Sequence, residues 1–302
     1  MSPEPATPHP VGTDPAGEQR RSLLAVATRT LAAAGIDSAA AEASLLLAHT
    51  LGVEPGRLIL VDVVDSEMSR SFLDLVARRS AHTPLQHLTG RAHFGGVDLA
   101  VGPGVFIPRP ETELLLEWAA PSLTAASVAV DLCSGSGALA LGMAASARQL
   151  RVHAVENSAS ALEWLRRNVS EAGEAGERVA VHDADVTDRE LPVRLGLHGA
   201  VDVVLTNPPY IPVTDELPAD VEGHDPHEAL FGGGDGMAVI TPMIGVIADL
   251  LRDGGVVALE HDDSTAHAVI AAFAAEGAFA DVTAHRDLAG RPRFVTARRT
   301  GR

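Results

Sequence analysis

The chain has 302 residues, enough for about two domains. Its 40 acidic and 23 basic side chains give a formal charge of −17, which argues against a protein that coats DNA or RNA by neutralising phosphates, so no stable direct DNA binding is expected. The single cysteine, Cys133, excludes a disulfide framework and a multi-cysteine zinc site. It fits a reducing, cytoplasmic setting, and the sequence shows neither a membrane-length apolar run nor a secretory signal.

In chain order, residues 1–17 hold five prolines and little apolar material, and read as a disordered tail. Leu23, Leu24, Ala27, Leu31 and Ala34 recur at helical spacing. Gly35 is a candidate C-cap, and Ser38 a candidate N-cap for a second helix carrying Leu45, Leu46, Leu47 and Leu51. A third helix is predicted over about 66–80, so 18–83 reads as a small helical bundle. Residues 84–109 are punctuated by Gly90, Gly95, Gly96, Gly102 and Gly104 and read as a linker or β-hairpin.

From about residue 110 to the end, strands and helices alternate. Apolar runs at 128–132, 152–155, 179–181, 201–205 and 256–259 read as strands. Helices are predicted at 138–147, 158–172, 236–251 and 264–276, and 279–283 with 294–297 read as a closing hairpin. This order predicts an α/β fold with a doubly wound, mostly parallel sheet.

Three constellations carry chemistry. Asp131-Leu132-Cys133-Ser134-Gly135-Ser136-Gly137 follows a strand and opens a helix, so its glycines permit a tight turn and its free amides face a ligand. Glu156 ends the next strand, where a carboxylate can accept both hydroxyls of a ribose. These two serve a nicotinamide enzyme and an S-adenosylmethionine enzyme equally. The third separates them. Asn207-Pro208-Pro209-Tyr210 ends a later strand. The Asn207 side-chain oxygen and the Pro208 carbonyl can accept both N–H groups of an amide, and Tyr210, the only tyrosine, can lie against its plane. That arrangement leaves the nitrogen lone pair facing a methyl donor, so the chemistry asked of the site is positioning.

In this order, Asp131–Gly137, Glu156 and Asn207–Tyr210 resemble a class I S-adenosylmethionine-dependent methyltransferase of the amino-methylating type. Pro84–Gly90, Phe94-Gly95 and Phe106-Ile107-Pro108-Arg109-Pro110-Glu111-Thr112-Glu113 resemble the peptide chain release factor glutamine methyltransferases. Asp225-Pro226, Ala229-Leu230, the glycines around Asp235, Asp287–Gly290 and Arg293 extend the likeness over about residues 20–298. The resemblance implies a seven-stranded Rossmann-like sheet over 110–302 behind an N-terminal helical substrate-binding domain. It implies methyl transfer from S-adenosylmethionine to the side-chain N5 of the glutamine in the Gly-Gly-Gln loop of release factors. By similarity, Asp131, Cys133, Ser134, Gly135, Ser136, Gly137, Glu156 and Asn207 contact the cofactor, with Asp185 and Val186 beside the adenine. Asn207, Pro208, Pro209 and Tyr210 hold the glutamine, with Asn207, Pro208 and Tyr210 as the catalytic set and Phe106 closing one wall.

The chain departs from that pattern at Cys133 and Asp262, where glycine is usual, and at Asp225, where Glu is usual. Other readings are a methyltransferase for a ribosomal-protein glutamine or a nucleic-acid adenine, a degenerate cofactor-binding module, or a nicotinamide oxidoreductase. The last leaves Asn207–Tyr210 unexplained. The thirteen histidines show no metalloprotease spacing, and no metal is expected. Arg286, Arg291, Arg293, Arg298, Arg299 and Arg302 make a basic C-terminus, read as solvated or as contacting a partner.

Overall fold

The computed structural model describes residues 15–61, 64–213, 223 and 225–301. The tail expected over 1–17 lies outside them as far as residue 14, and so does Arg302. The chain divides after Thr89 into two compact units.

The first unit is helical. Its helix α1 (Pro15–Ala33) begins on a proline, which the first turn tolerates because its amide would have no partner there. The helix therefore starts three residues inside the segment expected to be a tail. Gly35 turns the chain left-handed after it, at φ 81°. In α2 (Ala39–Leu51), Ser38 stands at the expected N-terminal position, but its hydroxyl bonds Glu42 and caps no amide. In α3 (Ser66–Ser80), Asp65 does cap, accepting the N–H groups of Glu67 and Met68. A short helix α4 (Leu85–Thr89) follows. Leu31, Leu46, Leu47 and Phe72 form the buried core.

The second unit opens with a hairpin of β1 (Arg91–Phe94) and β2 (Val97–Ala100). Its turn residues Gly95 and Gly96 both have positive φ, 54° and 81°, as a tight two-residue hairpin requires. Phe94 and Leu99 pack in the same core as the main sheet, so the stretch expected at 84–109 divides between the two units. Helix α5 (Glu113–Leu123), which the sequence reading did not anticipate, leads into the sheet. Then come β3 (Val128–Leu132), α6 (Ala138–Ser146), β4 (Arg151–Glu156), α7 (Ala159–Glu171) and β5 (Val179–Asp183). They are followed by α8 (Leu191–Arg194), β6 (Val201–Thr206), α9 (His227–Leu230) and α10 (Ile240–Leu250). Strand β7 (Leu251–Glu260), α11 (Ala266–Glu276), β8 (Phe279–Arg286) and β9 (Pro292–Arg299) complete the chain. The fifth sheet strand thus begins at Leu251, earlier than the expected 256, and takes over the last residue of the expected helix.

The seven strands run in the order β5-β4-β3-β6-β7-β9-β8. The first five pair in parallel and β9 is antiparallel to both its neighbours. This is the doubly wound sheet with a closing hairpin expected from the sequence. Alternate residues of the central strands enter two cores: Ala129, Val203 and Leu205 pack with α5, α6 and α7, while Val130, Val204 and Leu259 pack with α10 and α11. Both faces are covered, which is why these strands read as unbroken apolar runs. Strand order reverses direction at β3, and the crevice at the carboxyl ends of β3 and β6 is where such sheets bind ligands. No helix among the described residues is long and apolar enough to cross a membrane.

Candidate active site

A cleft opens at those strand ends. The turn after β3 forms its floor. Cys133 adopts φ 60° and Gly135 φ 54°, and Gly137 caps α6 at φ 87°. Its positive φ favours glycine there, and a Cβ would also press on the tip of the Leu165 side chain at 2.6 Å. The turn is closed by Ser134 N–H to the Val155 carbonyl (3.0 Å) and Gly137 N–H to the Ser134 carbonyl (2.7 Å). The Gly135 amide donates to Glu156 Oε2 at 2.8 Å, while Glu156 Oε1 accepts from Asn157 (2.9 Å) and Ser158 (2.8 Å). Glu156 is thereby pinned at the end of β4 with its carboxylate lining the cleft.

Asp131 lies fully buried beneath the turn. Its Oδ2 accepts the Ala140 amide at 3.0 Å, and its Oδ1 has no partner among the described residues. Burial pushes its pKa up to about 8, the nearby Glu156 charge adds to this, and the adjacent Ser134 hydroxyl and Ala140 amide act against it. A buried acceptor left over beside a ribose-type carboxylate and a row of turn amides suits a ligand carrying both a cation and a sugar. S-adenosylmethionine has both, so these residues fit it. Burial also raises the Cys133 thiol pKa, which keeps that side chain neutral.

The facing wall is Asn207–Tyr210, directly after β6. Asn207 Nδ2 donates to the Thr112 hydroxyl at 3.2 Å, and Tyr210 donates its hydroxyl to Glu260 Oε1 at 2.9 Å. Burial and the Glu260 charge push the Tyr210 hydroxyl pKa well up, so it remains a donor. Arg109 and Phe106 close a third side, the guanidinium standing 5.1 Å over the ring. Arg109 is paired at 2.6 Å with Asp225, whose side chain is buried and whose other oxygen accepts the Ile107 amide at 3.4 Å. Ser158 donates to Glu228, tying the start of α7 to α9.

Of the residues expected at the site, Phe106, Asp131, Cys133–Ser136, Glu156 and Asn207–Tyr210 all line this one cleft. Gly137, Asp185 and Val186 do not. Asp185 turns its carboxylate onto the Thr187 amide and hydroxyl, and Val186 is buried in the α10–α11 core. His153 on β4 is stacked on His182 of β5 with ring nitrogens 2.9 Å apart. Burial first, and His182 second, lower its pKa to about 4. Thr112, Arg109, Asp225, Glu228 and Glu260 were not named in advance as site residues. The signal for Glu260 was the one used for Glu156, an acidic residue closing a parallel strand.

Residues 22–90 match the family described as PrmC N-terminal domain, and residues 111–224 match that described as Conserved hypothetical protein 95. The chain is 54% identical to the release factor glutamine methyltransferase of Mycolicibacterium smegmatis, over 93% of this chain and 98% of that one. It is 46% identical to the protein of that name from Mycobacterium tuberculosis strain H37Rv, over 93% and 92% of the two chains. It is 44% identical to the one from Streptomyces coelicolor, over 91% and 96%.

Proposed function

The chain belongs to the release factor glutamine methyltransferase family, and on that premise we propose that it methylates N5 of the glutamine in the Gly-Gly-Gln loop of peptide chain release factors, with S-adenosylmethionine as donor. The observation that carries this reading is the Asn207–Tyr210 wall facing the Gly135–Glu156 floor across one cleft.

S-adenosylmethionine supplies an electrophilic methyl group. The Glu156 carboxylate, with Oε2 bonded only by Gly135, would hold the ribose, and the Asp131 carboxylate would hold the methionyl ammonium. Because Asn207 gives its –NH2 to Thr112, its Oδ1 is the arm left for the cleft. That oxygen and the Pro208 carbonyl accept the two N–H groups of the substrate amide. Tyr210 would lie against the amide plane and leave the nitrogen lone pair unbonded, so that the nitrogen would take the methyl group, shed one of its two protons and leave S-adenosylhomocysteine. An amide nitrogen is a poor nucleophile, so fixed acceptors that favour its developing positive charge contribute more than a strong base would. A free glutamine brings little binding energy, which favours a protein substrate.

Incubation with labelled S-adenosylmethionine and a purified release factor should label the loop peptide, with a gain of one methylene on its glutamine by mass spectrometry. Absence of label, beside a control enzyme active on the same release factor, overturns the reading. Absence of calorimetric binding to S-adenosylhomocysteine as well would point to a degenerate domain.

A further inference from the structure

The Asn207–Tyr210 segment is anchored from behind by one carboxylate. Glu260, the last residue of β7, is 1% exposed. Its Oε1 accepts the Tyr210 hydroxyl at 2.9 Å, and the Thr112 hydroxyl stands beside the same carboxylate. No donor meets Glu260 Oε2 in full hydrogen-bond geometry. Thr112 in turn accepts from Asn207 at 3.2 Å. Both ends of the substrate-holding segment therefore lead to Glu260.

The polarity of that chain matters. An ionised carboxylate can only accept. It turns the Thr112 proton toward itself and leaves a Thr112 lone pair for Asn207, whose amide must then present –NH2 to Thr112 and Oδ1 to the cleft. A protonated Glu260 can donate to Thr112. The Thr112 hydroxyl is then free to donate to Asn207, and the amide gains by rotating so that its –NH2 faces the cleft, where it repels the N–H groups of a substrate amide.

We infer that Glu260 is a positioning residue for the methyl acceptor, its carboxylate acting through Thr112 to keep Asn207 Oδ1 available to the substrate amide and through its own bond to keep Tyr210 in place. The inference rests on the proposed glutamine methylation for its kinetic consequence. The groups facing Glu260 are Tyr210 after β6, Glu111 and Thr112 before α5, and Arg293 on β9, which is itself paired with Asp287 at 3.1 Å. His261 comes directly after β7, and burial lowers its pKa. Burial outweighs Thr112, Tyr210 and Arg293 and lifts the Glu260 pKa to about 7.

Tyr210 is the only tyrosine in the chain, so tyrosine labelled with carbon-13 at Cζ gives a single resonance that reports on its hydroxyl. In the wild-type protein that resonance should titrate with a midpoint near 7, and in Glu260→Gln it should not. With a release factor as substrate, wild-type kcat should rise over the same pH range. Glu260→Gln and Thr112→Val should each lower kcat about tenfold, the scale of one misdirected hydrogen bond, with KM unchanged. Thr112→Ser should restore the rate, and Glu260→Gln should lose the pH dependence. A wild-type Tyr210 resonance that is flat through neutrality, or a Glu260→Gln enzyme with the wild-type pH profile, overturns the inference. A wild-type enzyme that methylates no release factor sinks the proposed function instead, and the resonance still decides whether Glu260 governs Tyr210.

Discussion

Gly135 donates its backbone N–H to Glu156 at 2.8 Å, so the turn after β3 is locked to the end of β4. Because Glu156 also accepts from Asn157 and Ser158, it both shapes the cleft and lines it. Glu156→Ala should weaken S-adenosylhomocysteine binding by roughly 30-fold, the equivalent of about 2 kcal/mol for bonds to a charged acceptor. It should also lower the melting temperature. Calorimetry and thermal melts on the same preparation check both, and an unchanged affinity would remove Glu156 from the cofactor site.

Asn207 has a different signature. Asn207→Ala removes the acceptor proposed for the substrate amide but leaves the floor of the cleft intact. We expect kcat to fall by about 100-fold or more, on the scale of losing one transition-state hydrogen-bonding group. Affinity for S-adenosylhomocysteine should fall far less. Single-turnover methylation of the release factor, set beside calorimetry, separates the two effects.

Asp131 makes the stability of the protein depend on pH. Its folded pKa, about 8, lies above the ordinary aspartate value of 3.8, so the native state holds a proton that the unfolded chain gives up between those limits. The stability from this group is therefore full in acid and is lost as pH rises through about 8. With the proposed ammonium contact, cofactor binding should run the other way, since a cation favours ionised Asp131. Asp131→Asn should flatten the decline in denaturant stability between about pH 5 and 8. It should also abolish the rise in S-adenosylhomocysteine affinity over that range. Denaturant melts and calorimetry at several pH values test the pair.

Cys133 occupies a left-handed conformation, φ 60°, that side chains adopt at a cost. Cys133→Gly relieves that strain while loosening the unfolded chain, so stability should stay within about 1 kcal/mol of wild type and cofactor binding should persist. Cys133→Val puts a β-branched residue in the same conformation and should cost more than about 1 kcal/mol. Chemical denaturation ranks the three.

The Arg109–Asp225 pair joins two walls of the cleft. Arg109→Ala leaves a buried carboxylate without its 2.6 Å partner and should destabilise the second unit by about 1–3 kcal/mol, below the range for a fully buried pair because Arg109 is a third exposed. Arg109→Lys, which restores charge without the planar fork, should recover part of this. Denaturant titration reads the difference.

Much of this protein is local, and the sequence by itself determined it. The strands of the sheet appear as apolar runs because both sheet faces are buried. The turn at Gly135 and Gly137 is legible because positive φ and a close neighbour at Gly137 leave glycine little competition. Asn207–Tyr210 is legible because two prolines fix the backbone where a parallel strand ends. The boundaries slipped where local signals were weak: α1 starts on a proline, and β7 begins among Arg252, Asp253 and Gly254, which are poor strand formers.

Tertiary structure decided which polar groups meet. Thr112 lies 95 residues before the asparagine it holds, and Glu260 lies 50 residues after the tyrosine it receives. No spacing along the chain encodes those pairs. They arise because β3, β6 and β7 lie side by side in the sheet, bringing three strand ends and the segment before α5 to one edge. Asp185, two residues past the end of β5, has one carboxylate oxygen taken by the amide and hydroxyl of Thr187 in its own turn. A strand-end position places a side chain near the crevice, and only the competition among its hydrogen-bond partners determines whether it faces the ligand.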